Sequence, residues 1–492
     1  MFKYPSAHTC ICRVMKDEYA EGEKMRGKIR YALAGLIALL AMGGGQSARA
    51  EALSPPAPSL SSSPCEDALT YLETQYRNDE RTRIAFDLVY QGLVDPPAGY
   101  AYLPTKNPWR AAAGGAGLKD KMVSMFREWC TALPEIHGTS DNALDGIQYF
   151  AWLYYHNEAG VNFVQGRYPA DATQPLETGA EFLYQFTQQL RGFMDSPASA
   201  KLVPEWVSDP RIEIGDYVTD RFDSWNAFFA RRLKQNPDGG YPSRPVTMPD
   251  KDYVIVAPTD CIMNPLVQVL SDNNAYRRQL LDNPLLLDTV LDVKNIPVSV
   301  RDLLANTPEE VRNSFVGGSG LSCILMPNTY HNFHSPVDGT IVHKEVVASR
   351  TKFAVGTFGY SDWPNWVPLT GNVGGPGTDF SQFERFQRGV IVVKVEYANL
   401  PGEKPEKLTG YVAVIPVGLD TVGSVVLDDA VTVGATVKKG VTRFGNFYFG
   451  GSLNILLFSK GMVTPAVQVR MGNQIGIINI GKAPRTPWSP VE

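Results

Sequence analysis

The amino-acid sequence predicts an α+β protein in which a helical N-terminal domain, residues 65–235, precedes a β-rich domain, residues 236–492. Two changes in residue pattern support this division. Between residues 65 and 234, apolar residues recur at helical spacing and are interrupted by loops that contain Pro and Gly. After Pro237, short runs rich in Val and Ile alternate with Gly and Pro, which is typical of β-strands. At 492 residues, the chain is long enough to bury a sizeable core.

The elements follow from these patterns in chain order. Helices are predicted at residues 68–78, 119–132, 147–156 and 181–195. Strands are predicted at residues 253–257, 340–347, 389–397, 409–417, 424–427 and 454–458. Residues 272–314 interrupt the strands with helical character. Residues 356–386 form a long loop rich in Gly and aromatic residues, which we expect to act as a pocket wall or lid.

The N-terminal residues 1–50 have the features of an extension followed by a secretory signal peptide. Arg26, Lys28 and Arg30 precede an apolar run from residue 31 to residue 42 that is too short to span a bilayer. The small residues at 48 and 50 fit a signal-peptidase site. The sequence therefore predicts export, to a periplasm, with membrane retention as the alternative. Residues 51–64 are a Pro/Ser-rich linker.

Net charge and cysteine spacing limit the partners that we expect. The formal net charge of -5 gives no electrostatic reason for a nucleic-acid partner. Cys65, Cys130, Cys261 and Cys323 remain after signal removal, an even number that permits disulfides in an exported protein. Cys65 and Cys130 could pair, whereas for the other two both pairing and simple burial stay open. None has the spacing of a zinc site, so no metal is predicted.

One combination of residues has the chemistry of an activated nucleophile. Ser452 follows two glycines in the segment Phe447-Tyr448-Phe449-Gly450-Gly451-Ser452-Leu453-Asn454-Ile455. His331 and His334 supply imidazoles upstream, and Asp260 supplies a carboxylate that could orient one of them. The residue two places after the serine is Asn454 rather than Gly, which argues against the nucleophile elbow of an ordinary serine hydrolase.

The spacing of the two histidines also permits a metal pair on one helical face. However, Pro336 follows closely, and Val337-Asp338-Gly339-Thr340 reads as a turn into a strand. The histidines are therefore predicted to lie in a loop before a strand.

Four motifs, in order, resemble those of the phosphatidylserine decarboxylase family. They are Ser224-Trp225-Asn226-Ala227-Phe228-Phe229-Ala230-Arg231-Arg232-Leu233-Lys234 with Ser243-Arg244-Pro245; Tyr330-His331-Asn332-Phe333-His334-Ser335-Pro336-Val337-Asp338-Gly339; Val417-Gly418-Leu419-Asp420-Thr421-Val422-Gly423-Ser424-Val425; and Val437-Lys438-Lys439-Gly440 with Phe444-Gly445 and Phe449-Gly450-Gly451-Ser452. The helical residues before the motifs resemble a soluble branch of the family that includes fungal tryptophan decarboxylases.

The resemblance implies a self-processing enzyme. In this family the serine hydroxyl, here of Ser452, attacks the carbonyl of Gly451, and the chain is cut between residues 451 and 452. His334 would take the proton, and Asp260 would hold its imidazole in the useful tautomer. Ser452 becomes a covalent pyruvoyl cofactor that condenses with a substrate amine and acts as an electron sink. His331 would assist decarboxylation or reprotonation.

Three positions depart from the family pattern and bear on the substrate. Cys261 stands where Gly is common, Asn332 where Arg is frequent, and Leu453 where Thr or Ser is common. The implied reaction is removal of the α-carboxylate of phosphatidylserine to give phosphatidylethanolamine. A free aromatic amino acid such as tryptophan is the alternative substrate, and an unprocessed binding scaffold is the non-enzymatic alternative.

The expected partners follow from these functions. They are a phospholipid headgroup or a free amino acid, and the large and small chains of one precursor. Peripheral membrane contact and homo-oligomerisation stay open.

Overall fold

The computed structural model describes residues 64–95, 107, 109, 118–133, 153, 157–164, 166–272, 275–293, 296–325, 328–347, 388–398, 407–418, 425–448 and 452–462. They belong to one compact unit that spans Ser62–Glu492. Helices and antiparallel sheets are both present, which confirms the predicted α+β class. The predicted signal segment, most of the linker, most of the 147–156 helix and the 356–386 loop lie outside the described residues.

The N-terminal part of the described chain is mainly helical. Its α-helices are α1 (Glu66–Asn78), α2 (Glu80–Gln91), α3 (Leu118–Cys130), α4 (Glu158–Val164), α5 (Glu177–Met194), α6 (Val203–Ser208) and α7 (Trp225–Phe229). Helix α2 begins after Asp79, whose carboxylate accepts hydrogen bonds from the backbone N–H groups of Arg81 and Thr82 and so caps the helix. The predicted helices at 68–78, 119–132 and 181–195 correspond to α1, α3 and α5, and α2 lies within the 65–234 stretch whose pattern was predicted to be helical.

The C-terminal part is mainly strand. Its strands are β3 (Ile262–Pro265), β4 (Val267–Asp272), β5 (Ala275–Leu280), β6 (Val290–Val293), β7 (Ile296–Ser299), β8 (Ser319–Leu325), β9 (Asn332–His334), β10 (Gly339–Val347), β11 (Arg388–Ala398), β12 (Lys407–Gly418), β13 (Val425–Leu427), β14 (Thr436–Val437), β15 (Arg443–Phe447) and β16 (Ser452–Phe458), after a hairpin of β1 (Arg167–Tyr168) and β2 (Asp171–Pro175) among the helices. Two short helices, α8 (Val300–Leu303) and α9 (Glu309–Asn313), separate β7 from β8.

The main antiparallel sheet has the strand order β14-β10-β11-β12-β16-β8-β3 in the described residues. Strand β16 is therefore an interior strand, paired on both sides, and all of its residues are buried. Its first residue, Ser452, lies opposite Gly418 on β12 and Leu325 on β8. Two smaller sheets accompany it, in the orders β13-β15-β9 and β5-β4-β6-β7.

The two faces of the main sheet contact different hydrophobic cores. Because alternate residues of a strand point to opposite faces, β16 contributes to both cores. Leu456 and Phe458 belong to a core that also contains residues of the N-terminal helices. Leu453 and Ile455 belong to a second core with residues of β6, β7 and α8. The helices and the main sheet thus share buried contacts, and the domain boundary at residue 235 stays a prediction.

Three sequence predictions for local structure were wrong. Residues 272–314 contain strands β5, β6 and β7 as well as two short helices. Burial alternates along β6, with Leu291 and Val293 inside, and this period of two belongs to a strand. Residues 253–257 form no strand, since Val256 makes a single backbone bond to the carbonyl of Pro336 at 3.0 Å. The histidine motif, expected in a loop, contains strand β9.

Two disulfides link the described cysteines. Cys65, before α1, is bonded to Cys130 at the end of α3, and Cys261, before β3, is bonded to Cys323 on β8. The pairing that the sequence left open is thus defined. Within the described residues, no helix combines the length and apolar character needed to cross a membrane.

Candidate active site

Ser452 is held at the start of β16, an interior strand of the main sheet. Its neighbours across the sheet are Gly418 and Leu325, and only 2% of the residue is exposed. The preceding Gly451 lies outside the described residues. The serine therefore stands at the first position of a buried strand that is paired on both sides.

The histidine motif pairs with the strand that leads to Ser452. Strand β9 pairs with β15, with His334 opposite Arg443, and the backbone N–H of Phe447 donates to the carbonyl of His331 at 2.9 Å. Five residue steps separate Phe447 from Ser452, a span of at most about 18 Å. The topology thus brings both histidines to the same region as the candidate nucleophile.

His334 is buried as a neutral imidazole. Its Nδ1 lies 3.4 Å from the carbonyl oxygen of Val441, and its Nε2 lies 2.9 Å from the hydroxyl of Tyr330. A carbonyl only accepts, so Nδ1 carries the proton and Nε2 accepts the hydrogen bond from the tyrosine. Burial lowers the pKa of His334 to about 4 and raises that of Tyr330. At neutral pH, His334 is therefore neutral, and its Nε2 lone pair accepts from Tyr330.

Asp260 does not contact this imidazole in the structure. Its carboxylate accepts hydrogen bonds from Nε and an Nη of Arg244, at 2.9–3.0 Å. Burial alone would lower the pKa of Arg244, but its hydrogen bonds to Asp260 and Asp216 raise it above its ordinary value. Orientation of His334 by Asp260 was predicted, but the structure shows the two ring nitrogens of His334 contacting Val441 and Tyr330 instead.

The backbone around Asp260 nevertheless lies against the histidine motif. The N–H of His334 donates to the carbonyl of Pro258 at 2.8 Å, and the hydroxyl of Thr259 donates to the carbonyl of Tyr330 at 3.0 Å. The disulfide that follows Asp260 fixes the same segment to β8, the neighbour of β16. Asp260 thus belongs to the site through its backbone, and its carboxylate is held by an arginine.

His331 is fixed by stacking and by one backbone hydrogen bond. Its ring lies on Phe229, with 3.7 Å between the centroids and 28° between the planes. Its Nδ1 lies 2.9 Å from the carbonyl oxygen of Thr329, so Nδ1–H is the donor and Nε2 carries the lone pair in the neutral form. The residue is 1% exposed. This environment holds the ring plane in one orientation.

Sequence reasoning missed the residues that support the histidine motif. Arg231, 1% exposed, donates through an Nη to the carbonyls of Asn328 and Thr329 at 2.7 and 3.0 Å. Its guanidinium also lies over the Tyr217 ring, 4.6 Å from the centroid. The carbonyl that Arg231 holds at Thr329 is the one that accepts from His331. The only signal for this role was the position of Arg231 in the first family-like motif.

Asn332 was noted in the sequence only as a departure from the family pattern. Its Nδ2 donates to the carbonyl of Arg231 at 3.0 Å, and its Oδ1 accepts from Arg443 at 2.8 Å. The amide therefore bridges the segment after α7 and strand β15. A side chain that both donates and accepts is needed for this bridge, and an arginine has no acceptor.

The chain is similar to known proteins over the region that contains the histidine motif and Ser452. A family model described as phosphatidylserine decarboxylase matches residues 225–477, about half of the chain and nearly the whole span of the four motifs. Decarboxylase iboD of Amanita muscaria (strain Koide BX008) is 28% identical over 273 residues, which cover 54% of this chain and 67% of that protein.

Bacterial and fungal proenzymes are also similar to this chain. The phosphatidylserine decarboxylase proenzyme of Clostridium novyi (strain NT) is 25% identical over 320 residues, covering 65% of this chain and 84% of that protein. Phosphatidylserine decarboxylase proenzyme 3 of Schizosaccharomyces pombe (strain 972 / ATCC 24843) is 27% identical over 277 residues, covering 55% and 22%. The matched region contains both histidines and the buried serine, and the chain belongs to the phosphatidylserine decarboxylase family, whose enzymes are lyases with a covalently bound pyruvoyl cofactor.

Proposed function

We propose that this chain cuts itself between Gly451 and Ser452 and then removes the α-carboxylate of phosphatidylserine, which gives phosphatidylethanolamine. The observation that carries the proposal is the placement of Ser452 at the first position of β16, next in the chain to the strand that pairs with the histidine motif. A serine hydroxyl at the first position of a paired strand lies next in the chain to the carbonyl of residue 451, which is the carbonyl that it has to attack.

The self-cleavage uses groups of this chain and one water molecule. Ser452 Oγ bonds to the carbonyl carbon of Gly451 and loses its proton to Nε2 of His334, which gives up its hydrogen bond from Tyr330 for this step. The Gly451–Ser452 C–N bond breaks, the amine nitrogen takes that proton from His334, and an ester is left. Loss of the α-proton of residue 452 expels Oγ with Gly451 as a carboxylate. Hydrolysis of the resulting dehydroalanine releases ammonia and leaves a pyruvoyl group. The low pKa of His334 keeps the imidazole neutral at neutral pH, which is the form that can take the proton.

Residue 452 fits a cofactor that is made from the chain itself. After cleavage, the new N-terminus must stay in place without its bond to residue 451. Strand β16 pairs along its whole length with β12 on one side and with β8 on the other. These two ladders would hold the smaller chain in the sheet.

The pyruvoyl group would supply an electrophilic carbonyl for the substrate amine and a sink for the electrons left by CO2. A surrounding residue would then supply the proton that replaces CO2 on the substrate α-carbon. We place this role on Nε2 of His331, because stacking on Phe229 and the bond to the Thr329 carbonyl fix the ring. His331 would deliver a proton to the substrate α-carbon after CO2 has left.

A free aromatic amino acid such as tryptophan is the second candidate substrate. It is favoured by the similarity to a fungal protein that is named only as a decarboxylase. Both candidates share an α-amino group and an α-carboxylate, and they differ in what lies beyond the β-carbon.

We also propose export of the protein, with residues 25–50 as the signal. Two disulfides in the described residues support it, because such bonds persist in oxidising compartments. Membrane contact from the 356–386 loop and assembly into homo-oligomers remain part of the proposal. Fractionation of cells that express the full chain would test the location.

Self-cleavage is tested by intact-mass analysis under denaturing conditions. We expect the wild-type chain to give two fragments, the smaller beginning at residue 452 with a mass that shows a pyruvoyl group in place of serine. The Ser452→Ala variant should stay in one piece. An uncut wild-type chain that unfolds cooperatively would contradict the proposal.

The substrate is tested by CO2 release from the cleaved enzyme. Phosphatidylserine in mixed vesicles and free tryptophan are compared at equal total concentration, with Ser452→Ala as the blank. Release from vesicles alone supports the phospholipid, and release from tryptophan alone supports the second candidate.

A further inference from the structure

Asn454 is a buried amide with no hydrogen-bond partner in the part of the chain that the structure describes. It is 0% exposed, and neither its Nδ2 nor its Oδ1 is paired there. Burying such a group costs stability, and buried polar side chains are normally paired. The residue lies two positions after Ser452 on β16, so both side chains point to the same face of the sheet.

The residues opposite Asn454 on the two neighbouring strands have no polar side-chain group. Opposite it on β8 is Cys323, which is bonded to Cys261, and opposite it on β12 is Pro416. The next residue on the same face is Leu456, which belongs to the hydrophobic core. The amide is thus an isolated polar group, adjacent to the residue that becomes the cofactor.

We propose that Nδ2 of Asn454 binds the α-carboxylate of the substrate, an inference that rests on the proposed function. Alternate residues of a strand are roughly 6.7 Å apart, so the amide lies within a few ångströms of a substrate whose amine is joined to residue 452. The α-carboxylate is the polar group nearest that amine in both candidate substrates. An N–H donor to a carboxylate makes a strong, charge-assisted hydrogen bond.

A neutral donor suits a carboxylate that has to leave as CO2. An arginine or lysine would stabilise the charged ground state more than the transition state, in which the negative charge moves away from the carboxylate. A neutral amide among apolar neighbours can orient the carboxylate while stabilising the charged ground state less than an arginine or lysine would. Loss of the amide should therefore appear in KM and in ligand binding rather than in kcat.

The test compares Asn454→Leu, similar in size and apolar, with Ser322→Ala. Ser322 is a matched control, because its buried hydroxyl also lacks a partner but stands on β8 opposite Ile455, on the other face. Both variants should cut themselves as completely as wild type in intact-mass analysis. In the uncut Ser452→Ala background, Asn454→Leu should raise Tm, because the orphaned amide is removed.

Binding of the carboxylate is then measured on the cleaved proteins. For Asn454→Leu, KM for the substrate that the enzyme is found to decarboxylate should rise at least ten-fold. Ki of the product amine, which has no carboxylate, should stay the same. Thermal stabilisation by a ligand that has the carboxylate but no amine should be lost; the ligand is indole-3-propionate for tryptophan and the glycerophosphate ester of 3-hydroxypropionate for the lipid. Ser322→Ala should resemble wild type in all three.

Each other outcome would overturn the inference. An unchanged KM, or an equal rise in KM and Ki, would show that the Asn454 amide does not bind the substrate α-carboxylate. Failure of Asn454→Leu alone to cut itself would assign the amide to processing. A wild-type chain that stays uncut would instead contradict the proposed function, whatever residue 454 does.

Discussion

At the scale of single residues, the site depends on imidazoles whose protonation is set by their surroundings. His334 would be charged in part near neutral pH if it were exposed, but burial lowers its pKa to about 4. A base for the serine proton must be neutral before it acts. The fold thus supplies at neutral pH the form of His334 that self-cleavage requires.

This burial predicts a dependence of stability on pH. The unfolded chain, with a histidine pKa near 6.5, binds a proton more readily than the folded chain between pH 6.5 and 4. Stability should therefore fall as the pH drops through this window, by up to about 3 kcal/mol, and change little from this source above it. Chemical denaturation of Ser452→Ala at pH 7, 5.5 and 4.5 measures the loss.

The control removes the titrating group and keeps the chain uncut. Ser452→Ala with His334→Gln lacks the imidazole, so its stability should decrease less over the same pH window. Parallel curves for the two proteins would show that His334 is not the group responsible.

At the scale of elements, the small sheet β13-β15-β9 positions the histidines and requires a glycine at its centre. Gly445 pairs with Leu427 on β13 and Phe333 on β9. A Cβ at this position would overlap the carbonyl oxygen of Val426 and lie 2.9 Å from Cζ of Phe333. Both neighbouring strands approach too closely for any side chain.

Gly445→Ala should therefore separate these strands and displace the histidine motif. We expect a loss of about 1–3 kcal/mol in unfolding free energy, together with slower self-cleavage. Thermal unfolding and the time course of fragment formation measure the two effects.

Gly192 on α5 provides the matched control. A Cβ there meets no atom within 4 Å. Gly192→Ala should stabilise the helix slightly and leave the cleavage rate unchanged. Equal behaviour of the two variants would refute the positioning role of β15.

At the scale of the whole molecule, the two disulfides stabilise different parts of the fold. Cys65–Cys130 joins two helices, and Cys261–Cys323 joins the segment after Asp260 to the strand beside β16. Their sequence separations, 65 and 62 residues, are similar, so the entropic contribution of each to stability should be similar, about 2–4 kcal/mol. Only the second lies at the candidate active site.

The pair Cys261→Ser with Cys323→Ser should slow self-cleavage, because the 258–260 backbone that contacts the histidine motif loses its anchor. Cys65→Ser with Cys130→Ser should lower the denaturant midpoint by a similar amount and leave the cleavage rate near that of wild type. Denaturation curves and mass time courses distinguish the two. Equal self-cleavage rates for the two double variants would show that the Cys261–Cys323 disulfide does not support the candidate active site.

The sequence by itself predicted the class, the order of helices and strands, and the family. Amphipathic periods and β-branched runs are local properties, so α1, α3, α5 and the long strands β10–β12 were predictable. It was less reliable at residues 272–314, where β5 pairs with the adjacent β4 and β6 with the adjacent β7, because strands of four to six residues are too short for their pattern to be told from that of a helix.

Only the tertiary structure decided how the candidate residues are arranged. Asp260 meets Arg244, 16 residues away, and His334 meets Val441, 107 residues away. No spacing rule reports which carboxylate meets an arginine or which amide stays unpaired among the described residues. The sequence determined which chemical groups are available. Packing decided their protonation and contacts, because burial and hydrogen bonding are properties of the folded surroundings.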